Sequence, residues 1–249
     1  MQNSTNEPKI ALVTGASGSL GKATTKALLA GGHSVVMMDL NQDILNKLQK
    51  EMDGRTYPYA CNLSDPDEVE KVYSLIEKEV GQIDILVNNA GILSNNKAEA
   101  TTPEEWQKVM AVNLNGVFYL SRKVMPGMKK KGWGRIINTS SLAAKTGGIT
   151  AGTAYSTSKG AIMSLTFSLA AELASYGVTV NGIAPAYVRT PMVTKQLTEE
   201  QRQELIAKIP VKRFCEPEEF AHVVMFLVDP LAGFITGEII DQNGGLIFD

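Results

Sequence analysis

Tyr155 and Lys159 stand four residues apart at the start of a helical pattern. On a helix that spacing puts both side chains on one face, within reach of a common ligand. A free phenol titrates near pH ~10, too high for acid–base work at neutral pH. Lowering it by roughly three units takes about 4 kcal/mol of preferential stabilisation of the phenolate. A neighbouring ammonium and a second nearby positive charge could together supply that in a partly desolvated pocket. Such a pair could pass a proton to or from a carbonyl or alcohol oxygen. The spacing is common by chance, and an exposed helical pair is the competing reading of these two residues alone.

A second group of residues has the chemistry to hold a dinucleotide. Thr14-Gly15-Ala16-Ser17-Gly18-Ser19-Leu20-Gly21 joins an apolar run to a helical one. Glycines there let a pyrophosphate approach the backbone and the helix N-terminus. The spacing is not G-x-G-x-x-G, so the loop by itself could equally be a tight turn. Asp39, followed by Leu40, ends the next apolar run, about twenty residues on. A carboxylate there accepts hydrogen bonds from a ribose diol and repels a 2′-phosphate. Positions 14–21 and 38–41 hold no Arg or Lys to receive such a phosphate. The expected cofactor is NAD and not NADP.

These residues need a scaffold, and the chain supplies a repeating one. Apolar runs at Ile10–Val13, Val35–Met38, Ile83–Val87, Arg135–Asn138, Val178–Asn181 and Glu238–Asp241 alternate with amphipathic stretches. The clearest of those stretches are Leu20–Ala30, Asp67–Val80, Glu104–Met125 and Ala154–Tyr176. Strands that are apolar throughout are buried on both faces, as in a parallel sheet covered by helices. The expected fold is α/β: a single-domain, doubly wound parallel sheet of Rossmann type over residues 1–249. Its ligand belongs beyond the carboxyl ends of the strands, where the glycine- and polar-rich clusters fall.

Composition narrows the class. A net charge of −2 leaves no basic footprint for nucleic acid or anionic membrane. The basic run Lys129–Lys131 precedes Gly132 and reads as a solvated helix end. Cys61 and Cys215 lack metal-ligand spacing and read as reduced structural thiols, with no metal expected. Met1 to Lys9 is polar, so no signal peptide is expected, and no apolar run is long enough to span a membrane. A cytoplasmic location follows as an expectation.

In this order, Thr14-Gly15…Gly21, Asp39, Asn62, Asn88-Asn89-Ala90-Gly91, Asn113, Ser140-Ser141, Tyr155-x-x-x-Lys159, Pro185 and Thr190 resemble the short-chain dehydrogenase/reductase family over essentially the whole chain. No single match is specific; the ordered set is. The resemblance implies a catalytic tetrad of Asn113, Ser141, Tyr155 and Lys159. In it Tyr155 is the general acid or base, and Ser141 hydrogen-bonds the substrate oxygen. Lys159 binds the nicotinamide ribose, and Asn113, inside a helix, holds a water leading to solvent. It also implies that Asn62, with Leu63, meets adenine, that Asn89, Ala90 and Gly91 pass along the adenosine ribose, and that Pro185, Val188 and Thr190 wall the carboxamide. A homotetramer packed through Glu104–Met125 and Ala154–Tyr176 is implied as well.

Three departures from the family pattern stand out. Ser19 occupies a usual glycine position with Gly18 before it, and Ala186 follows Pro185 where glycine is usual. The segment from Ser141 to Tyr155 looks one residue longer, within Lys145–Thr153, which keeps Ser140 as a second candidate for the substrate-facing serine.

The substrate pocket is expected from the loop after Gly91, from Leu142–Gly152, and from a lid at about 187–209 that includes the helical pattern Glu199–Ile209. The lid offers Tyr187, Met192, Val193 and Leu197 on its apolar side and Lys195 as an anion contact. The tail from Pro210 to Glu219 is similar to 3-oxoacyl-carrier-protein reductases, which mostly use NADPH and dock an acidic carrier. Asp39 opposes NADPH, and Tyr176 stands where a basic residue would suit the carrier. The preferred reading is therefore an NAD-dependent dehydrogenase of a polyol, sugar acid or hydroxy acid. The alternative is a 3-oxoacyl-carrier-protein reductase, and the rival of another class is a non-catalytic dinucleotide-sensing protein. The stretch Val188–Met192 also resembles 3-hydroxybutyrate dehydrogenases, although the lid after it is short.

Overall fold

The computed structural model describes residues 7–190 and 198–248. The apolar runs form strands β1 (Ile10–Thr14), β2 (Ser34–Asp39), β4 (Ile85–Asn88), β5 (Gly134–Thr139), β6 (Val178–Pro185) and β7 (Ile239–Gln242). With β3 (Thr56–Ala60) they make one parallel sheet in the order β3-β2-β1-β4-β5-β6-β7. Succession reverses between β1 and β4, and in open α/β sheets such a switch point opens the ligand crevice.

The helices are α1 (Ser19–Ala30), α2 (Gln42–Lys50), α3 (Pro66–Glu79), α4 (Pro103–Met110), α5 (Gly116–Lys131), α6 (Leu142–Thr146), α7 (Thr153–Leu173), α8 (Glu199–Lys208) and α9 (Pro217–Val228). One face of the sheet packs Leu12, Val36, Leu86 and Ile136 against α3, α5 and α7. The other packs Val13, Met37, Val87 and Ile137 against α2 and α9. Alternate residues of each strand therefore meet opposite layers, which is why the strands read as apolar throughout.

Several elements differ from the sequence pattern. β3 was not expected: its residues, TYPYA, are mostly half-buried. As the edge strand, β3 tolerates Pro58 because no further strand needs that missing N–H. The expected helix Glu104–Met125 is two helices joined by a π-helical turn at Ala111–Asn115, and α5 runs on to Lys131. Gly132 then ends α5 with φ +68°, the left-handed cap that favours glycine. β6 is longer than its core run and carries the chain to Pro185.

Polar bonds join the strand ends under the crevice. The amide of Asn88 donates to Asn138 Oδ1 at 2.9 Å, and Asn138 Nδ2 donates to Thr166 Oγ1 on α7 at 2.9 Å. No helix among the described residues is long and apolar enough to cross a membrane. Burial pushes the Cys61 thiol up to about 12 and the Cys215 thiol up to about 11.

At the opposite end of the sheet, the buried Asp84 accepts from the Ile10 amide at 3.1 Å and from Lys131 Nζ at 2.5 Å. The last turn of α5 is thus tied to the start of β1. Asp84→Ala leaves that amide without its acceptor and is expected to cost about 2 kcal/mol of unfolding free energy in urea. A loss under about 0.5 kcal/mol, the range of ordinary surface changes, would remove this tie from the account.

Candidate active site

The crevice at the switch point is built from loops at the carboxyl ends of β1, β2, β3 and β4. Gly15 adopts φ +63°, and a Cβ on it would lie 2.9 Å from Ala90 Cα. A Cβ on Gly21 would lie 2.1 Å from the Gly15 carbonyl oxygen, so the first turn of α1 can close on the loop only with glycine there. Thr14 and Asn89 lace the two loops together. Thr14 Oγ1 accepts from the Asn89 and Ala90 amides at 3.0 Å each, and Asn89 Nδ2 donates to the Thr14 carbonyl at 3.1 Å. Gly18 caps α1 without a side-chain hydrogen bond, and the first turn holds no acid. Its N–H groups are thus presented as an anion site.

The resulting cleft measures about 820 Å³, within the range of ligand pockets. Gly15, Ser17, Gly18, Ser19 and Leu20 line it from the first loop, and Asp39 and Leu40 from the second. Asn62, Leu63, Asn89, Ala90, Gly91 and Thr190, also expected, line it as well. Asp39 Oδ2 accepts from the Ser17 amide at 3.0 Å and from its hydroxyl at 2.6 Å, and Oδ1 from the Leu40 amide at 2.8 Å. The carboxylate therefore stands at the mouth of the glycine loop. Asn62 Oδ1 accepts from the Ser64 hydroxyl at 2.7 Å, which fixes the side-chain plane.

Five expected cofactor residues are not on the cleft wall: Tyr155 and Lys159, which lie on α7 beside it, and Gly21, Pro185 and Val188. Gly21 acts by letting α1 pack against Gly15, Pro185 is buried as the last residue of β6, and Val188 is buried and bridged to Cys215. Conversely, Cys61, Lys108 and Val112 line the cleft without having been anticipated. Lys108 and Val112 are four apart across the end of α4, a spacing that places them on one side. The sequence carried that signal, but nothing in it says which side meets the crevice.

Next to the cleft, α7 brings Tyr155 to the wall of a second cavity of about 250 Å³, with Lys159 one turn further along the helix. Lys159 is 4% exposed, and its Nζ donates to the Thr139 carbonyl at 2.7 Å, at the end of β5. Burial pushes this ammonium down to about 8. Its Nζ lies 5.8 Å from the centre of the Tyr155 ring. Burial pushes the Tyr155 phenol above its ordinary value, against a hydrogen bond from Ser141. Desolvation, and not the nearby ammonium, governs the phenol in the free protein, and that ammonium is aimed at Thr139.

The two serine candidates separate cleanly. Ser140 is 1% exposed, and its hydroxyl donates to the Lys159 carbonyl at 2.9 Å, which pins α7 to β5. Ser141 lines the cavity and caps α6, its Oγ accepting from the Ala143 amide at 3.1 Å. With that lone pair engaged, its proton is directed to the Tyr155 oxygen.

Asn113 sits fully buried in the π-helical turn. Its Oδ1 accepts from the Ile92 amide at 2.8 Å, and its Nδ2 donates to the Ile92 carbonyl at 3.0 Å and to Ser158 Oγ at 3.1 Å. Ser158 in turn donates to the Tyr155 carbonyl at 2.7 Å. A Cβ on Gly91 would lie 3.3 Å from Asn113 Oδ1 and 3.4 Å from Lys159 Nζ, so the three groups meet around that glycine.

The substrate-side cavity draws on all three segments expected for it. Leu93 and Asn95 follow β4, Leu142, Ala143, Ile149 and Ala151 follow β5, and Ala186, Tyr187 and Leu205 come from β6 and the lid region. Met192, Val193, Lys195 and Leu197 lie outside the described residues.

Lys159 carries a stability cost with a definite pH window. Its folded value of about 8 lies below the ordinary lysine value of 10.5, so the unfolded chain binds the extra proton between them. The cost is full below pH 8 and vanishes as pH rises through 10.5. Lys159→Met should therefore stabilise the free protein at pH 7 by ~2 kcal/mol, after deducting the lost bond to Thr139. Chemical denaturation at pH 7 and pH 10 should show that gain shrinking with pH; a destabilised variant at pH 7 would contradict it.

Residues 15–247 match the family model described as enoyl-(acyl carrier protein) reductase. A 3-oxoacyl-[acyl-carrier-protein] reductase FabG from Vibrio cholerae is 41% identical over 241 residues, 96% of this chain and 98% of the relative. A solved 3-oxoacyl-[acyl-carrier protein] reductase from Brucella melitensis superimposes with a TM-score of 0.93 at 34% identity, covering 98% of this chain and 93% of that one. A 3-ketoacyl-(acyl-carrier-protein) reductase from the same organism, solved in complex with NADH, gives 0.89 at 31%, covering 97% and 99%. The chain belongs to the short-chain dehydrogenase/reductase family, oxidoreductases that act between an alcohol and a carbonyl group.

Proposed function

We propose that the protein is an NADH-linked reductase of 3-oxoacyl thioesters. The observation that carries this reading is the character of the cavity at Tyr155: Leu93, Leu142, Ile149, Tyr187 and Leu205 surround Ser141 and the phenol. Asn95, Thr146 and Thr150 are the polar exceptions on these walls, and each polyol or sugar-acid hydroxyl set against the apolar remainder costs about 1–3 kcal/mol without a partner. An acyl chain gains from them, by about 0.8 kcal/mol per buried methylene. The relatives at 37–41% identity named as 3-oxoacyl-carrier-protein reductases point the same way. The earlier preference for a polyol, sugar-acid or hydroxy-acid substrate gives way to this alternative. The non-catalytic reading has no observation behind it.

The cofactor reading rests on Asp39. Its carboxylate accepts hydrogen bonds at the mouth of the loop, where a ribose diol would replace Ser17 as donor. The same charge repels a 2′-phosphate. Bound NADH supplies the hydride for the substrate carbonyl.

The protein's own groups then have separate tasks. Ser141 donates a hydrogen bond that holds the carbonyl oxygen beside Tyr155. Tyr155 delivers its phenolic proton as negative charge develops on that oxygen. Its raised proton affinity in the free protein keeps it in the donor form. Lys159 places a positive charge below the phenol and a donor toward the ribose. Asn113 fixes Ile92 and Ser158, and through them the turn that carries Tyr155. We carry a homotetramer as part of this reading, since α5 and α7 expose Phe118 and Phe167 at 43% and 49%.

Initial rates with an acetoacetyl thioester test the proposal. NADH should exceed NADPH in kcat/KM by at least about tenfold, a difference near 1.4 kcal/mol. Asp39→Ala should narrow that ratio. A wild type that prefers NADPH would overturn the cofactor reading. Tyr155→Phe should lose about 10²–10⁴-fold in kcat while still binding NADH. Near-normal turnover would remove Tyr155 as the proton donor.

A further inference from the structure

Lys97 lies outside every group so far given a task. It belongs to the loop between β4 and α4, and its ammonium reaches across to the loop before α7. There Nζ donates to the Gly148 carbonyl at 2.5 Å and to the Ala151 carbonyl at 2.7 Å. Two backbone bonds run beside this clamp: the Gly152 amide donates to the Ser94 carbonyl at 2.7 Å, and the Thr153 amide to the Asn96 carbonyl at 3.0 Å.

Both loops are shaped for this contact. Gly148 has φ +77°, and a Cβ there would lie 2.1 Å from Ser156 Oγ; a Cβ on Gly152 would lie 2.5 Å from the Asn96 carbonyl oxygen. The first loop is itself held to α4, because the Glu105 carboxylate accepts from Ser94 Oγ and from Asn96 Nδ2. Those bonds hold the Glu105 carboxyl below its usual range. The stretch from 148 to 151 has no helix or strand of its own. Bonds to a charged donor are about twice as strong as neutral ones, so one ammonium on two carbonyls is a strong restraint on its shape.

What the clamp fixes is the cavity roof. Leu93 and Asn95 stand on one side of it, and Ile149, Thr150 and Ala151 on the other. We propose that Lys97 is a specificity-determining positioning residue, which sets the width of the acyl cavity by clamping the 148–151 loop to the 93–97 loop. This rests on the 3-oxoacyl reading for its substrate class but not for the clamp itself. Lys97 touches neither the reacting carbonyl nor the dinucleotide in this scheme. Its loss should change the grip on the chain and leave the proton transfer intact.

Lys97→Met keeps most of the length of the side chain and removes its donors. Lys97→Arg keeps charge and two-carbonyl geometry and serves as the rescue. In hydrogen exchange on the free protein, the Gly152 and Thr153 amides should exchange at least about tenfold faster in Lys97→Met and near wild-type in Lys97→Arg. With N-acetylcysteamine thioesters, KM for a 3-oxooctanoyl chain should rise about tenfold in Lys97→Met. The acetoacetyl KM should rise much less, kcat should hold for both, and the NADH Kd should not move. Unchanged exchange at both amides, or an equal loss on both chains, would overturn the proposal. A wild type that reduces neither thioester defeats the substrate reading, while the exchange result still decides the clamp.

Discussion

A buried ammonium organises the carboxyl end of the sheet. Lys159 is surrounded by protein, and its hydrogen bond to the Thr139 carbonyl ties the charge to the last residue of β5. Burying such a cation is unfavourable, so the surrounding backbone has to hold it in place. Ser140 does so by bonding the Lys159 carbonyl, and the Asn88–Asn138–Thr166 chain does so one layer below. Gly91 is confined for the same reason, since any Cβ would press on Lys159 Nζ and Asn113 Oδ1. The π-helical turn at Ala111–Asn115 then makes sense as the distortion that sends Asn113 inward to bind Ile92 and Ser158.

The dinucleotide cleft is held by a different constraint, close approach of backbone to backbone. Gly15, Gly21 and Ala90 pack with no space for added atoms, and Thr14 binds the amides that follow Asn88. This packing leaves the α1 N–H groups uncapped and Asp39 at the loop mouth. The two constraints share the β4 loop, where Asn89 serves the first and Gly91 the second. The packing of the cleft and the packing around Lys159 therefore meet in one short turn.

Much of this was legible in the sequence, where local spacing decides the outcome. Apolar runs betrayed the buried strands, and the four-residue step from Tyr155 to Lys159 gave a shared helix face. Asp39 was found because it ends a strand. Features set by long-range packing were not legible. Which of Ser140 and Ser141 faces the cavity depends on which hydroxyl meets the Lys159 carbonyl. The edge strand β3 lacks an apolar run because a single neighbouring strand covers it. The cavity's apolar walls come from segments more than a hundred residues apart, as Leu93 in a loop and Leu205 on α8 do. The polyol preference leaned on Asp39 and Tyr176, and neither lines that cavity; Tyr176 instead lies under Lys129, whose Nζ is 5.0 Å from the ring.

The central claim is that Tyr155 holds its proton until a positive nicotinamide joins Lys159 beside it. Ultraviolet difference titration of the wild type against Tyr155→Phe isolates that single phenol. In the free protein it should ionise above the ordinary phenol value, as burial dictates, and with saturating NAD⁺ it should ionise below that value. A phenol that titrates identically with and without NAD⁺ would contradict the account.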